Sequence, residues 1–203
     1  MSFKSGFIAI IGRPNVGKST LMNAILGEKV SIISDRPQTT RNKILGIRNI
    51  EGAQLVFLDT PGIHKGKYLM DKLMVKEAMS SLEGTDLILA VVDAERPLTE
   101  EDEMVLGSLK EARQPVFLII NKVDLIRKEL LLPQISKYSS SYGFKEVIPL
   151  SAAKGEGIEE LIRLMKDVLP EGPRYFPEET LTDRPERFII TEIIREKAIN
   201  MTR

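Results

Sequence analysis

The segment Gly12-Arg13-Pro14-Asn15-Val16-Gly17-Lys18-Ser19 follows the apolar run FIAII (7–11) and precedes a stretch with helical patterning at 18–26. A G-x-x-x-x-G-K-S loop between a strand and a helix restricts the fold more than any other feature of the chain. Its glycines let the backbone curl so that successive N–H groups point inward. This makes an anion nest at the positive end of a helix. In such a loop Lys18 reaches the β- and γ-phosphates of a nucleotide and the Ser19 hydroxyl binds Mg²⁺, with Thr20 counted among the nucleotide-binding residues. The motif alone admits either ATP or GTP.

The rest of the chain alternates short apolar runs with helical patterns, the signature of a parallel sheet covered by helices. LVFL (55–58), LILAVV (87–92), VFLII (116–120) and VIPL (147–150) join FIAII as buried parallel strands. KILGIRNI (43–50) alternates, and it is expected to pair antiparallel with 55–58 through a turn at Glu51-Gly52. The result is an α/β, mostly parallel six-stranded sheet with one antiparallel strand, of the P-loop NTPase (Ras-like G domain) class. Helices are expected near 18–26, 70–82, 99–112, 129–141 and 157–168, with Thr99 to Asp102 as a capping start.

Near residue 170 the texture changes, because PEGPRYFPEETLTDRPER (170–187) holds four of the chain's 11 prolines. It reads as an extended linker. The chain then resumes as an amphipathic helix over 187–203, with Ile190, Ile193, Ile194 and Ala198 on one side. That helix either packs back on the first domain or opens a second one. The expected division is therefore a P-loop domain at 1–170, a linker at 171–186 and one further helix at 187–203.

Composition adds exclusions. The absence of cysteine removes disulfides, thiolate metal sites and thiol nucleophiles, and fits a reducing compartment, with the cytoplasm as the expected location. Lys+Arg and Asp+Glu balance at 29 each, so net charge argues neither for nor against nucleic acid or membrane. Apolar runs such as Leu87 to Val92 have strand length, well short of the roughly 20 residues of a membrane helix.

The base is chosen by Asn121-Lys122-Val123-Asp124, after the strand 116–120. A carboxylate at Asp124 accepts two hydrogen bonds from guanine N1–H and its exocyclic amine, a donor pair that adenine lacks. The aliphatic stem of Lys122 is suited to cover a face of the base. Ser151-Ala152-Ala153 follows another strand, where backbone amides can meet the guanine carbonyl oxygen. Asp59-Thr60-Pro61-Gly62-Ile63 ends the strand 55–58: Asp59 is placed to hold Mg²⁺ through water and the Gly62 N–H to sense a γ-phosphate. Loss of that phosphate releases two loops, roughly 29–42 and 62–70, as an order–disorder switch.

GRPNVGKS, QTTR (38–41), DTPG, NKVD and SAA, in this order and spacing, resemble the Era family of bacterial GTPases across the whole chain. EGPRYFPEE, TDRPERF and EIIREK are similar to that family's linker and to the first helix of its C-terminal KH domain, an RNA-binding module. The resemblance implies GTP hydrolysis to GDP and phosphate. It implies Thr40, over Thr39, as the switch hydroxyl on Mg²⁺, and Lys18, Thr40 and Gly62 as the catalytic set. It also implies that Asn15 helps to bind K⁺ beside the β–γ bridge, where an arginine finger otherwise places its charge. Ile63 stands where Ras-type enzymes carry a water-orienting glutamine, so unassisted turnover is expected to be slow. His64, the single histidine, is either a general base or a solvated loop residue. Arg13 and Arg41 are set aside as internal fingers.

Through the family, 16S rRNA and the 30S small ribosomal subunit are implied partners by way of the KH domain, of which this chain carries only the first helix. Peripheral association with the inner face of the cell membrane is implied too, although the sequence shows no basic amphipathic anchor. No feature points to DNA, and a monomer is expected. Readings from other classes are a related GTPase of tRNA modification or large-subunit maturation, a nucleotide-gated binding module without hydrolysis, and a small-molecule kinase using ATP. The aspartate of NKVD separates the last from the rest. Asp124→Asn offers a donor to the C2 carbonyl of xanthine, and should shift preference from guanine to xanthine nucleotides by roughly 10²-fold or more in a competition assay.

Overall fold

The computed structural model describes residues 2–30, 44–59, 82, 84–140 and 142–201. The strands are β1 (Lys4–Ile11), β2 (Ile44–Ile50), β3 (Ala53–Asp59), β4 (Leu87–Asp93), β5 (Val116–Asn121) and β6 (Glu146–Pro149). They form one six-stranded sheet in the order β2-β3-β1-β4-β5-β6. Every neighbouring pair is parallel except β2 with β3, which turn back on each other at Glu51-Gly52, where Gly52 takes φ 71°. Among the described residues the helices are α1 (Lys18–Leu26), α2 (Glu100–Ser108), α3 (Leu131–Ser139), α4 (Ile158–Val168) and α5 (Glu186–Met201). The expected helix at 70–82 lies, but for Leu82, outside the described residues.

Side chains alternate across the sheet, so the apolar runs fill two cores at once. Leu87, Leu89 and Val91 of β4 meet Leu21, Met22 and Ile25 of α1 and Leu161 and Met165 of α4. Ile88, Ala90 and Val92 meet Val105 and Leu106 of α2, Leu109, and Tyr138 of α3. All of β4 and β5 is buried. That two-sided burial explains why these strands read as unbroken apolar runs.

Two helices are shorter than their patterns. α2 starts as expected, with Thr99 and Asp102 forming a reciprocal capping box, but its last turn tightens into a 3₁₀ turn at Leu109–Glu111 that buries Leu109. α3 begins at Leu131 after a 3₁₀ turn at Lys128–Leu130. Pro133 has no N–H to bond back to residue 129, so a regular helix cannot start earlier with full bonding.

The linker is extended, as its prolines require, but it is not free of the domain. Ser5 N–H donates to Pro170 O (3.1 Å), Gly172 N–H to Phe3 O (3.1 Å) and the Ser5 hydroxyl to Pro173 O (2.6 Å). Gln54, fully buried in β3, then binds both edges of the passing chain. Its Oε1 accepts from Tyr175 and Phe176 N–H (2.8 and 3.0 Å), and its Nε2 donates to Phe176 O (2.9 Å). Farther on, Ile47 N–H of β2 donates to Leu181 O (2.8 Å) and Gly46 bridges Thr182. The linker thus covers the outer edge of β2, an exposed edge being a template for unwanted pairing. α5 divides its apolar residues: Phe188 and Ile189 pack against the core, while Ile190 and Ile194 are exposed.

Tyr138, fully buried, reaches from α3 to accept the Leu98 N–H (2.9 Å) at a residue with φ 51°. Burial is the main reason that its phenol is pushed from 10.0 up to about 12. Because the folded value is raised, its contribution to stability is complete below the unfolded value of 10.0 and is lost as pH rises toward about 12. Tyr138→Phe should cost about 1 kcal/mol at neutral pH by orphaning the Leu98 amide, and should flatten the alkaline fall in stability. Urea unfolding between pH 7 and the alkaline limit measures both.

Candidate functional site

The strand order reverses beside β1: the chain places β3 on one side of it and then β4 on the other. In open α/β sheets a crevice opens at the carboxyl ends of the strands flanking such a reversal. Here it lies at the end of Ile11, where the phosphate loop begins.

Gly12 is required by close approach, since a Cβ there would run into the carbonyl oxygen of Val91. Gly17 caps α1 at φ 96°, and a Cβ on it would strike the Asn121 amide nitrogen. Between them the exposed Asn15 takes φ 64°, a left-handed conformation that asparagine enters more readily than other side-chain-bearing residues. An asparagine at this position is thus favoured on conformational grounds as well as chemical ones. Val16 is fully buried beneath the loop, Pro14, Ser19 and Thr20 are half-buried around it, and the first helical bond runs from Leu21 N–H to Gly17 O (2.8 Å). Lys18 is 7% exposed, and its Nζ donates to the carbonyls of Gly12 (3.0 Å) and Arg13 (2.9 Å). The ammonium is thus curled inside the loop, aimed by carbonyl dipoles.

Arg13 is buried as well. Its Nε donates to Asp102 Oδ1 (3.1 Å), its Nη2 to Arg96 O (3.3 Å), and Nη2 lies 3.7 Å from Asp93 Oδ2. The side chain is spent on the fold, so only the Arg13 backbone is left to line the nest.

β5 ends at Asn121, which is 2% exposed and ties three motifs together. Its Nδ2 donates to Val16 O in the phosphate loop (2.8 Å), and its Oδ1 accepts from Lys122 N–H (2.8 Å) and Ala152 N–H (3.0 Å). Lys122 takes φ 65° and sends its Nζ to Asp93 Oδ2 (2.7 Å). Asp124 stands exposed one turn later, without a hydrogen bond or ion pair to the described residues. In the third segment Ser151 N–H donates to Glu156 O (3.1 Å). With Ser151 and Ala152 engaged, an incoming carbonyl would have to share the Ala152 donor or use that of Ala153. β3 brings the backbone of Asp59 beside Ile10, two positions before the loop. Thr60, Pro61, Gly62, Ile63, His64 and Thr40 lie outside the described residues.

Three groups escaped the sequence reading: Asn121 as a clasp, and Asp93 and Asp102 as buried partners of Arg13. Asn121 and Asp102 were marked only as a base-loop residue and as part of a helix cap, and Asp93 left its trace as a carboxylate ending a wholly apolar strand.

A glycine-rich anion nest, a buried lysine beneath it and an exposed aspartate after β5 make this a P-loop GTPase. Residues 7–122 match the family model described as 50S ribosome-binding GTPase. The chain is 54% identical over 200 residues to GTPase Era of Geotalea daltonii, covering 98% of this chain and 67% of that protein. A crystal structure of Era with MgGDPNP and nucleotides 1506–1542 of 16S ribosomal RNA superposes with a TM-score of 0.92 at 43% identity, over 99% of this chain and 68% of that one. Aquifex aeolicus Era bound to GDP.AlF4- gives 0.91 at 43% identity, over 99% and 69%. The chain belongs to the Era family of GTPases, spans about two thirds of the length of those relatives, and is an enzyme that hydrolyses GTP.

Asn121→Ala should leave the Val16 carbonyl and the Ala152 N–H unpaired. It should cost about 2–4 kcal/mol of stability and weaken GDP binding by about tenfold or more. Denaturant unfolding with and without GDP reads both quantities.

Proposed function

We propose that the guanine nucleotide lies across the three loops that Asn121 joins. In this reading the backbone from Gly12 to Gly17 and the Lys18 ammonium bind the phosphates. Asp124 reads the guanine edge, Lys122 lies along the base, and Ala152 or Ala153 meets its carbonyl. The observation that carries the reading is that Asn121 ties the segments after β1, β5 and β6 to one another, with Asp124 exposed three residues farther on. Mg²⁺, which the Era–rRNA crystal structure holds with GDPNP, fits Ser19 at the first turn of α1, and Asp59 and Thr40 complete the donor set. Bound there it neutralises phosphate charge. Lys18 adds a second cation, fixed in place by the Gly12 and Arg13 carbonyls.

Two finer assignments belong with this reading. Residues 1–170 act as the GTPase domain, 171–186 as the linker and 187–203 as the first helix of a KH module. By analogy with the relative crystallised on 16S ribosomal RNA, the whole protein grips rRNA through that module and works, as a cytoplasmic monomer, in small-subunit assembly. Association with the inner membrane face would be peripheral, because no described helix is long and apolar enough to cross a membrane.

Asn15, exposed in the middle of the loop, carries an amide oxygen suited to a monovalent cation, which in this reading supplies the charge that an arginine finger gives in other GTPases. GTP turnover, followed by phosphate release, should be several-fold faster in K⁺ than in Na⁺. Asn15→Ala should abolish the difference while leaving GTP binding within about threefold. Equal rates in both salts for the unaltered chain would remove the cation from the mechanism.

A further inference from the structure

Asp93 is a buried carboxylate, 3% exposed, to which the nucleotide reading above gives no role. It ends β4 in register with Asn121 of β5. Its Oδ1 accepts the Glu95 N–H (2.9 Å). Its Oδ2 faces two cations, the Lys122 ammonium at 2.7 Å and Arg13 Nη2 at 3.7 Å. Each cation comes from a different nucleotide loop. Beyond Arg13 stands Asp102, whose Oδ1 accepts from Nε (3.1 Å) while its Oδ2 accepts from Thr99 N–H (3.0 Å) and the Thr99 hydroxyl (2.9 Å). The groups alternate in formal sign from Lys122 to Asp93, Arg13 and Asp102, two bases and two acids in one chain of contacts.

We infer that Asp93 is a positioning residue for guanine-nucleotide binding. By anchoring the tip of Lys122 it fixes the stem along the base, and through Arg13 it ties that setting to the phosphate loop. A lysine stem has four rotatable bonds and roams when its tip is free, so a surface it offers a ligand binds well only if it is ordered beforehand. Here the left-handed backbone of Lys122 starts the stem and the carboxylate of Asp93 ends it, leaving the side chain 29% exposed. The inference rests on the reading that Lys122 lies along the purine.

The test is a double-mutant cycle on release of mant-GDP from the chain, with Asp93→Ala, Lys122→Met and the pair. Lys122→Met keeps an apolar stem without the anchored tip. Each single change should speed release about tenfold, the scale of one charge-assisted bond. The pair should be no more than about twofold faster than the quicker single, since both remove the same link. Asp93→Asn, which keeps one acceptor oxygen where the carboxylate offers two, should fall between wild type and Asp93→Ala. If Asp93→Ala fails to fold, the cycle run with Asp93→Asn has the same two outcomes. Release at the wild-type rate from the Asp93 variants, or a pair that multiplies to about a hundredfold, overturns the inference, because a role in folding alone predicts additivity. Failure of the base-loop reading shows differently, as a wild-type chain that holds GDP no better than ADP, and it takes the inference down with it.

Discussion

The nucleotide crevice depends on the side chain of Asn121. Three loops reach the sheet edge from β1, β5 and β6, and Val16 of the first and Ala152 of the third share the apolar core beneath them. The Asn121 amide donates to the phosphate loop and accepts from the backbone of the other two segments. A buried amide with donors and acceptors so matched gains strength from the low local dielectric, and leaving any of them unpaired is costly. Gly17 is part of the same device, because only a residue without a Cβ lets the Asn121 nitrogen come so close to the loop.

Around that clasp the sheet supplies rigidity and the reversal of strand order supplies the space. β4 and β5 are buried on both faces, so the strand ends from which the loops hang have little freedom. The charged groups from Lys122 to Asp102 are paired one after another and fixed by capping: Asp102 is at once the partner of Arg13 and the third residue of a capping box. The start of α2 and the phosphate loop are thereby one unit, although 89 residues separate Arg13 from Asp102.

The linker shows where sequence reading reaches its limit. Its prolines announced an extended path, and it is extended. What they did not announce is that the path lies on the domain, held by Gln54 and by the open edge of β2. A glutamine in a strand reads as a solvent-facing residue, and this one is fully buried because the linker covers it. The final helix was legible as amphipathic, yet it commits only Phe188 and Ile189 to the core and leaves Ile190 and Ile194 exposed.

The class of fold, the parallel strands with one antiparallel pair and the phosphate loop were all written in short stretches of sequence. Each of those features is imposed locally, by glycine conformation or by side-chain alternation. The tertiary structure alone decided that Asn121 is a clasp, that Arg13 faces inward, that Asp93 gathers two cations and that Gln54 seats the linker. Those roles join residues far apart in the chain, and no local period records such a partner. Only the folded sheet, by bringing its strand ends to one edge, sets the distances at which these charges and amides meet.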